Sequence, residues 1–331
     1  MSMRVFIKAI KTSLTRQQWL YRLLFSLRAR IYAVCEALSI VSSKIAGKPI
    51  LIGIDVLLSS KPSGEIKYNL AACLRFKNEA YYLREWIEFH RRIGIEHFYL
   101  YNNNSTDDFR DVIAPYVEQK LVTLHDWSEV PASPGADLHC ITRYRDEARW
   151  IAFLDADEFL LPVGKTSLTE LLRKFEDFPA LAVNWIYFGS NGHLKRPHGG
   201  VLENYTKRSA VPNRHVKSIV NPRKVIKYGN SHYWFYSRAA LPVNTQVTPV
   251  YGSFSEPAVA DVLRINHYYS KSREEFLAKA VMKSWVDSEG SRFPSRTVDA
   301  WNRIASDNND VEDTTACHRV AASTQELCVA G

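Results

Sequence analysis

Two aspartates separated by a single small residue, Asp155-Ala156-Asp157, close an apolar run, Ile151-Ala152-Phe153-Leu154, and precede another, Phe159-Leu160-Leu161. Carboxylates placed this way must surface between buried segments, and together they can offer two hard oxygen ligands to one divalent cation. Mg²⁺ and Mn²⁺ are typically held by one or two carboxylates plus substrate phosphates. The chemistry such a pair suggests is therefore a metal-bridged diphosphate whose charge is neutralised as it leaves. No Walker A sequence occurs and no GxGxxG opens a helix, so phosphate-loop and dinucleotide readings lack support.

The elements around the triplet point to an α/β domain. A strand over 69–76 leads to a helix from Glu79, in which Tyr82, Trp86, Phe89 and Ile93 recur at i, i+4, i+7 and i+11. A short strand over 96–101 precedes the polar loop 102–107 and a helix to Val117. A third strand follows over 121–125 and a third helix over 136–150, before the apolar run that ends in the triplet. Repeated βα units imply a mainly parallel sheet with helices on both faces, whose ligands bind at the carboxyl ends of the strands. Beyond the triplet we expect a helix over 167–175, a strand over 180–188, a strand-rich stretch over 201–266 and a helix over 274–285. Residues 1–58 read as a basic amphipathic extension, 59–67 as a Ser/Pro/Gly linker, 68–286 as the main domain and 287–331 as a loose polar tail.

The formal charge of +8 is local. Residues 1–30 hold seven Lys or Arg and no acid, and removing them from the 43 basic residues leaves 36 against 35 Asp and Glu. A nucleic-acid partner would need that excess on the folded domain; none is expected. The segment 4–41, where Trp19, Leu20, Leu23, Leu24 and Leu27 interleave with arginines, suits either an anionic membrane surface through residues 1–45 or the protein's own core. No window approaches the roughly 18–20 apolar residues of a membrane span. The five cysteines lack paired spacing and read as reduced thiols. These features predict a cytoplasmic protein, peripheral on the inner membrane face.

The succession LRFKNEAYYLREWIEFHRRIGIEHFYLYNNNSTD, CITRYRDEARWIAFLDADEFLL, FGSNGH and INHYYSKSREEF resembles the GT-A-fold glycosyltransferases of family 92 and their bacterial family-2-like relatives, over about residues 70–285. The resemblance implies a Rossmann-like domain and a UDP-sugar-type donor. It also implies a divalent metal, Mn²⁺ or Mg²⁺, inversion at the anomeric carbon, and a glycan or lipid-linked saccharide as acceptor. Lys77, Asn78 and Glu79 match the segment that touches base and ribose. Asn102 and Asn103 stand where many relatives carry acidic base-contacting residues, or they form a polar turn. Arg143 resembles a donor-contacting arginine, with a surface salt bridge as the alternative. Gly189, Ser190 and Asn191 resemble the loop that approaches sugar and acceptor, or are an ordinary turn. His267 is the candidate third metal ligand, or a structural histidine, with His232 in reserve. For the base that inversion requires, the available groups are Glu203, His232, Glu256 and Asp261, with Glu203 and His232 preferred. Two other classes stay open, a sugar nucleotidyltransferase and a non-enzymatic carbohydrate-binding protein. The first should carry glycine after the first strand, where residues 74–79 have none.

Overall fold

The computed structural model describes residues 16–46, 57, 65–164, 166–281 and 296–319. A long helix, α1 (Arg16–Ala46), precedes the sheet. Four apolar segments, β1 (Tyr68–Phe76), β2 (His97–Asn102), β3 (Val122–Asp126) and β4 (Ala148–Leu154), pair in parallel in the order β3-β2-β1-β4. Three helices connect them: α2 (Ala80–Arg92), α3 (Phe109–Glu118) and α4 (Gly135–Tyr144). Strands covered on both faces read as continuous apolar runs, and Leu70, Ala71, Ala72 and Leu74 of β1 are all fully buried. The predicted face of α2 is buried as well, with Tyr82, Trp86, Phe89 and Ile93 packed into the main core.

After β4 the chain turns through the triplet and returns as β5 (Glu158–Pro162); α5 (Leu168–Arg173) and β6 (Ala180–Tyr187) follow. A short helix, α6 (Val201–Asn204), a short strand, β7 (Lys207–Arg208), and β8 (Asn213–Val220) come next. Then come the hairpin strands β9 (Val225–Asn230) and β10 (Tyr233–Tyr236), followed by β11 (Leu263–His267). The eight-stranded sheet runs β3-β2-β1-β4-β8-β6-β11-β5. β8 is antiparallel to both β4 and β6, and β11 is parallel to β6, so β4, β6 and β11 share one direction. Their carboxyl ends therefore lie along one edge, which gathers the triplet, Tyr187 and His267. Antiparallel β8 brings its starting residues, 213–217, to that edge. The fold is the expected GT-A arrangement, though its second half is mixed: β5 also runs antiparallel to β11.

Three expectations change. The helix expected over 136–150 stops at Tyr144, and Trp150 belongs to β4, paired with Leu70. A short apolar run fits either periodicity, and the sheet decides it. Residues 296–319, expected to be loose, fold onto the domain. After α7 (Arg273–Val281), α8 (Val298–Asp307) sets Trp301 and Ala305 against Phe276, and β12 (Val311–Glu312) pairs with β7. Asp313 then joins Arg208 (2.6 Å) to Arg264 (2.8 Å). Polar composition hid an amphipathic helix and a buried ion-pair anchor. Finally, α1 is not a detached extension: Phe25 and Ala29 pack against Ile226 and Phe235 of the β9–β10 hairpin. Residues 1–15 and 282–295, most of the linker, and 320–331 lie outside the described residues. Among those described, Cys35, Cys73, Cys140 and Cys317 are free thiols, and no helix is long and apolar enough to cross a membrane.

Candidate active site

Asp155 and Asp157 leave the end of β4 and each meets a cation. Lys217 Nζ, from β8, donates to Asp155 Oδ2 at 2.6 Å, and Arg75 Nη2, from β1, lies 3.5 Å from Asp155 Oδ1. Lys279 Nζ, from α7, lies 3.3 Å from Asp157 Oδ2 and 3.0 Å from Glu79 Oε1. Burial alone would raise both carboxyls, but the cations outweigh it. Lys217 and Arg75 hold Asp155 below its usual range, while Lys279 and His267 hold Asp157 well below. Glu158 is fully buried; its Oε2 accepts the Asp155 N–H at 2.9 Å and fixes the turn. Burial first, then the neighbouring Asp155 charge, pushes the Glu158 carboxyl up to about 7 against the pull of Lys217.

An aromatic and imidazole cluster borders the triplet. His267 Nε2 lies 3.6 Å from Asp157 Oδ1, and β11 fixes it there by pairing with Glu158 of β5. Trp185 of β6 sits at its centre, with ring centroids 4.4 Å from His267, 5.1 Å from His215 and 5.2 Å from His232. His215 packs in turn on Phe254 at 4.6 Å. Phe254 lines a cavity of about 390 Å³ together with Gln18, Tyr21, Arg214, Tyr251 and Glu256. Two buried polar atoms in this cluster have no hydrogen-bond partner: Trp185 Nε1 and His267 Nδ1.

Among the described residues, no three or more His, Cys, Asp and Glu side chains stand together as a preformed metal cage. The chemistry of the donors nevertheless fits Mn²⁺ or Mg²⁺. Asp157 Oδ1 and His267 Nε2 converge at 3.6 Å, and Asp155, paired with Lys217, stands two residues before Asp157 at the same strand end. Carboxylate oxygens with one imidazole and phosphate oxygens suit such an ion.

Residues 68–289 match the sequence profile of glycosyltransferase family 92. The chain belongs to glycosyltransferase family 92. A family 92 protein of Oryza sativa subsp. japonica is 36% identical over 159 residues, which cover 47% of this chain and 27% of the relative. One from Ricinus communis is 37% identical over 174 residues, 49% of this chain and 30% of the relative. The galactan beta-1,4-galactosyltransferase GALS2 of Arabidopsis thaliana is 28% identical over 165 residues, 44% of this chain and 32% of that protein. The chain thus spans about a third or less of these relatives' length. The structure of S. aureus TarS in complex with UDP-GlcNAc overlaps 39% of this chain and 37% of its own, at 12% identity and a TM-score of 0.30.

Within the family 92 domain the remaining candidates divide sharply. Glu79 joins the cluster through Lys279, and Lys77 lies in the same loop, half-buried. Asn78 instead ties the first loop to the 102–107 loop, its Oδ1 accepting Thr106 N–H at 2.7 Å and its N–H donating to Ser105 Oγ at 3.0 Å. Asn102 donates to Asp126 and accepts from Ser105 N–H; Asn103 donates to the carbonyls of Trp127 and Glu129, both at 2.8 Å. Their amide donors build the loop, as the polar-turn alternative required. Arg143 is exposed and lies over the Tyr144 ring, away from the triplet; the arginine at the carboxylates is Arg75. Gly189, Ser190 and Asn191 clamp the C-terminal segment. A Cβ at Gly189 would run into the Asn309 side chain and the Asn308 carbonyl, and Asn191 binds Thr206 and Lys207. Buried Ser190 accepts from Gly192 N–H. Glu203 caps its own short helix through Gly200 N–H at 2.8 Å and makes no described contact with the triplet. Glu256 pairs with Arg214 in the cavity. His232 does stand beside the site, its Nδ1–H donating to the Val216 carbonyl at 2.9 Å. Burial and then Lys217 push it down to about 3. Three cations at the carboxylates escaped the sequence reading: Arg75, Lys217 and Lys279. Arg75 carried a signal, the single charge in the apolar strand β1; Lys217, in a strand that also holds Arg214, His215 and Ser218, carried none.

Proposed function

We propose that this protein transfers a sugar from a UDP-sugar to a hydroxyl of a glycan or lipid-linked saccharide, with a divalent metal and inversion at the anomeric carbon. The observation that carries this reading is the Asp157–His267 pair beside Asp155 at the carboxyl end of β4, ringed by three cations. Asp155, Asp157 and His267 would hold Mn²⁺ or Mg²⁺, which would supply Lewis-acid stabilisation of the leaving diphosphate. Lys217 and Lys279, beside the carboxylates, would add positive charge near the diphosphate where negative charge develops. Trp185, buried and stacked on His215, holds the three imidazoles that border the bound sugar. The Val216 carbonyl fixes Nδ1 of His232 as the protonated nitrogen, so Nε2 accepts from the acceptor hydroxyl. At so low a basicity, it orients that hydroxyl rather than removing its proton. The Phe254-lined cavity, linked to Trp185 through His215, is the acceptor approach; aromatic faces beside carboxamide, carboxylate and guanidinium groups suit a saccharide. We place the reaction in the cytoplasm.

The test is a thermal-shift panel of nucleoside diphosphates and UDP-sugars, with and without Mn²⁺. UDP-galactose comes first because one relative bears a galactosyltransferase name. At about 100-fold saturation UDP with Mn²⁺ should stabilise the fold by roughly 2.7 kcal/mol, and much less in chelator. Equal protection without metal sinks the role of the triplet. Protection by nucleoside triphosphates and sugar phosphates would favour a nucleotidyltransferase, and protection by saccharides alone a binding protein.

A further inference from the structure

Helix α1 has two apolar faces. Phe25, Ala29 and Tyr32 form one and pack on the hairpin, with ring centroids 5.0 Å apart for Phe25–Phe235 and 4.7 Å for Tyr32–Phe235. Two arginines that the sequence assigned to lipid headgroups are used on this side: Arg22 lies over Tyr251 and Arg28 over Phe235. The opposite face carries Leu20, Leu23, Leu27, Ile31, Val34 and Leu38, at i, i+3, i+7, i+11, i+14 and i+18, each between 43% and 58% exposed. At 1.5 Å rise per residue this stripe is about 27 Å long. A helix apolar on both sides belongs against a second apolar phase, and a continuous exposed stripe marks an interaction surface.

Charge identifies that phase. No Asp or Glu precedes Glu36, and Glu36 is buried, while Arg30 is exposed beside the stripe and the first 30 residues hold seven basic groups. Pairing two such stripes in a dimer would bring two acid-free basic segments together with no exposed carboxylate between them. An anionic surface has the opposite preference. We propose that this face of α1 seats the protein on an anionic bilayer. The helix lies parallel to the surface, its leucines reach the acyl boundary and Arg30 stays at headgroup level. The β9–β10 hairpin holds the domain on the other side of the same helix, so the bilayer and the catalytic domain share α1 as their common wall. The Gln18 and Tyr21 side of α1 also lines the acceptor cavity. The membrane contact itself is independent of the transfer reaction.

Vesicle sedimentation of the full chain tests it, comparing phosphatidylcholine with phosphatidylcholine containing phosphatidylglycerol. Substitution is preferred to deletion, because removing α1 would bare Ile226 and Phe235. The wild type should pellet with anionic vesicles and less so as salt screens the charges. A Leu23→Glu/Leu27→Glu variant should bind roughly 100-fold more weakly, since each buried leucine contributes strongly to partitioning. Both positions are exposed, so the variant should keep the wild-type melting temperature and UDP–Mn²⁺ protection. The proposal is overturned if the wild type ignores anionic vesicles or binds neutral ones equally well. It is also overturned if the variant binds like wild type, or if sedimentation velocity shows a wild-type dimer that the substitutions dissociate.

Discussion

Two sets of polar residues along the carboxyl edge of the sheet are alike in composition and opposite in what their hydrogen-bonding groups are doing. In the loops at 102–107 and 189–193, amides and hydroxyls are turned inward. Asn102, Asn103 and Asn191 close turns and bridge strands, and Gly189 makes room for the C-terminal segment. Around the triplet, capacity remains unused. His267 Nδ1, Trp185 Nε1 and Glu158 Oε1 are buried without partners, and the two aspartates are held by Lys217, Arg75 and Lys279. An unpaired buried polar atom costs about 1–3 kcal/mol, and three of them stand around the triplet. Polar residue type alone does not separate the two sets.

The sharpest way to break this comparison is Asp157→Asn. The substitution keeps the shape and removes the charge that meets Lys279 and His267. Lys279 retains Glu79 as a partner, so the fold should survive. Transfer, followed as kcat/KM, should fall by roughly 10²–10³, the scale of losing one preorganised electrostatic contact, and Mn²⁺-dependent UDP protection should vanish with it. A variant with wild-type kcat/KM would move the site elsewhere.

Much of this edge was legible in advance, for physical reasons that also show the boundary. Asp155 and Asp157 stood out because a strand buried on both faces cannot carry carboxylates except at its end. The parallel half of the sheet followed from repeated βα units, while His267 came from the family resemblance and lies 3.6 Å from Asp157. Lys217 was invisible as a partner. Its contact with Asp155 depends on β8 inserting antiparallel beside β4, a pairing across 62 residues of chain that local pattern does not encode. Arg143 came from the family resemblance, and Arg75 was not singled out, because only the β1–β4 pairing shows that it lies beside Asp155. The Asn102–Asn103 loop was ambiguous in principle, because residues that contact a base are also those that close turns.

A second prediction concerns charge that is fully committed to the scaffold. Asp313 ties β7 to β11 through Arg208 and Arg264, and its side chain is 7% exposed. Removing one partner of a buried pair strands the others, so Asp313→Asn should destabilise the domain by about 3 kcal/mol at neutral pH. Burial opposes the charged form of Asp313, but the hydrogen bonds from Arg208 and Thr315 outweigh it and depress the carboxyl from 3.8 to about 2. A depressed carboxyl contributes stability that is fully present above its unfolded pKa and lost as pH falls through the folded one. The gap between wild type and variant in denaturant melts should therefore hold above about pH 4 and close towards pH 2. A gap independent of pH would mean the effect is packing and not charge.

The smallest effect sharpens the comparison most directly. Asn103 donates to the carbonyls of Trp127 and Glu129, and its own N–H donates to the Phe76 carbonyl. If the side chain serves only the loop, Asn103→Ala should lose two hydrogen bonds and leave two carbonyls short of a partner, a cost of about 1–2 kcal/mol in chemical melts. UDP affinity with Mn²⁺, measured by calorimetry on protein well below its melting point, should stay unchanged, and so should KM for the donor. If the amide reads the nucleotide base, the pattern inverts. Stability barely moves, because solvent replaces the loop bonds, while UDP affinity drops by about tenfold, or 1.4 kcal/mol. The two readings assign the same side chain to opposite sets, and the ratio of lost stability to lost affinity in this one variant decides between them.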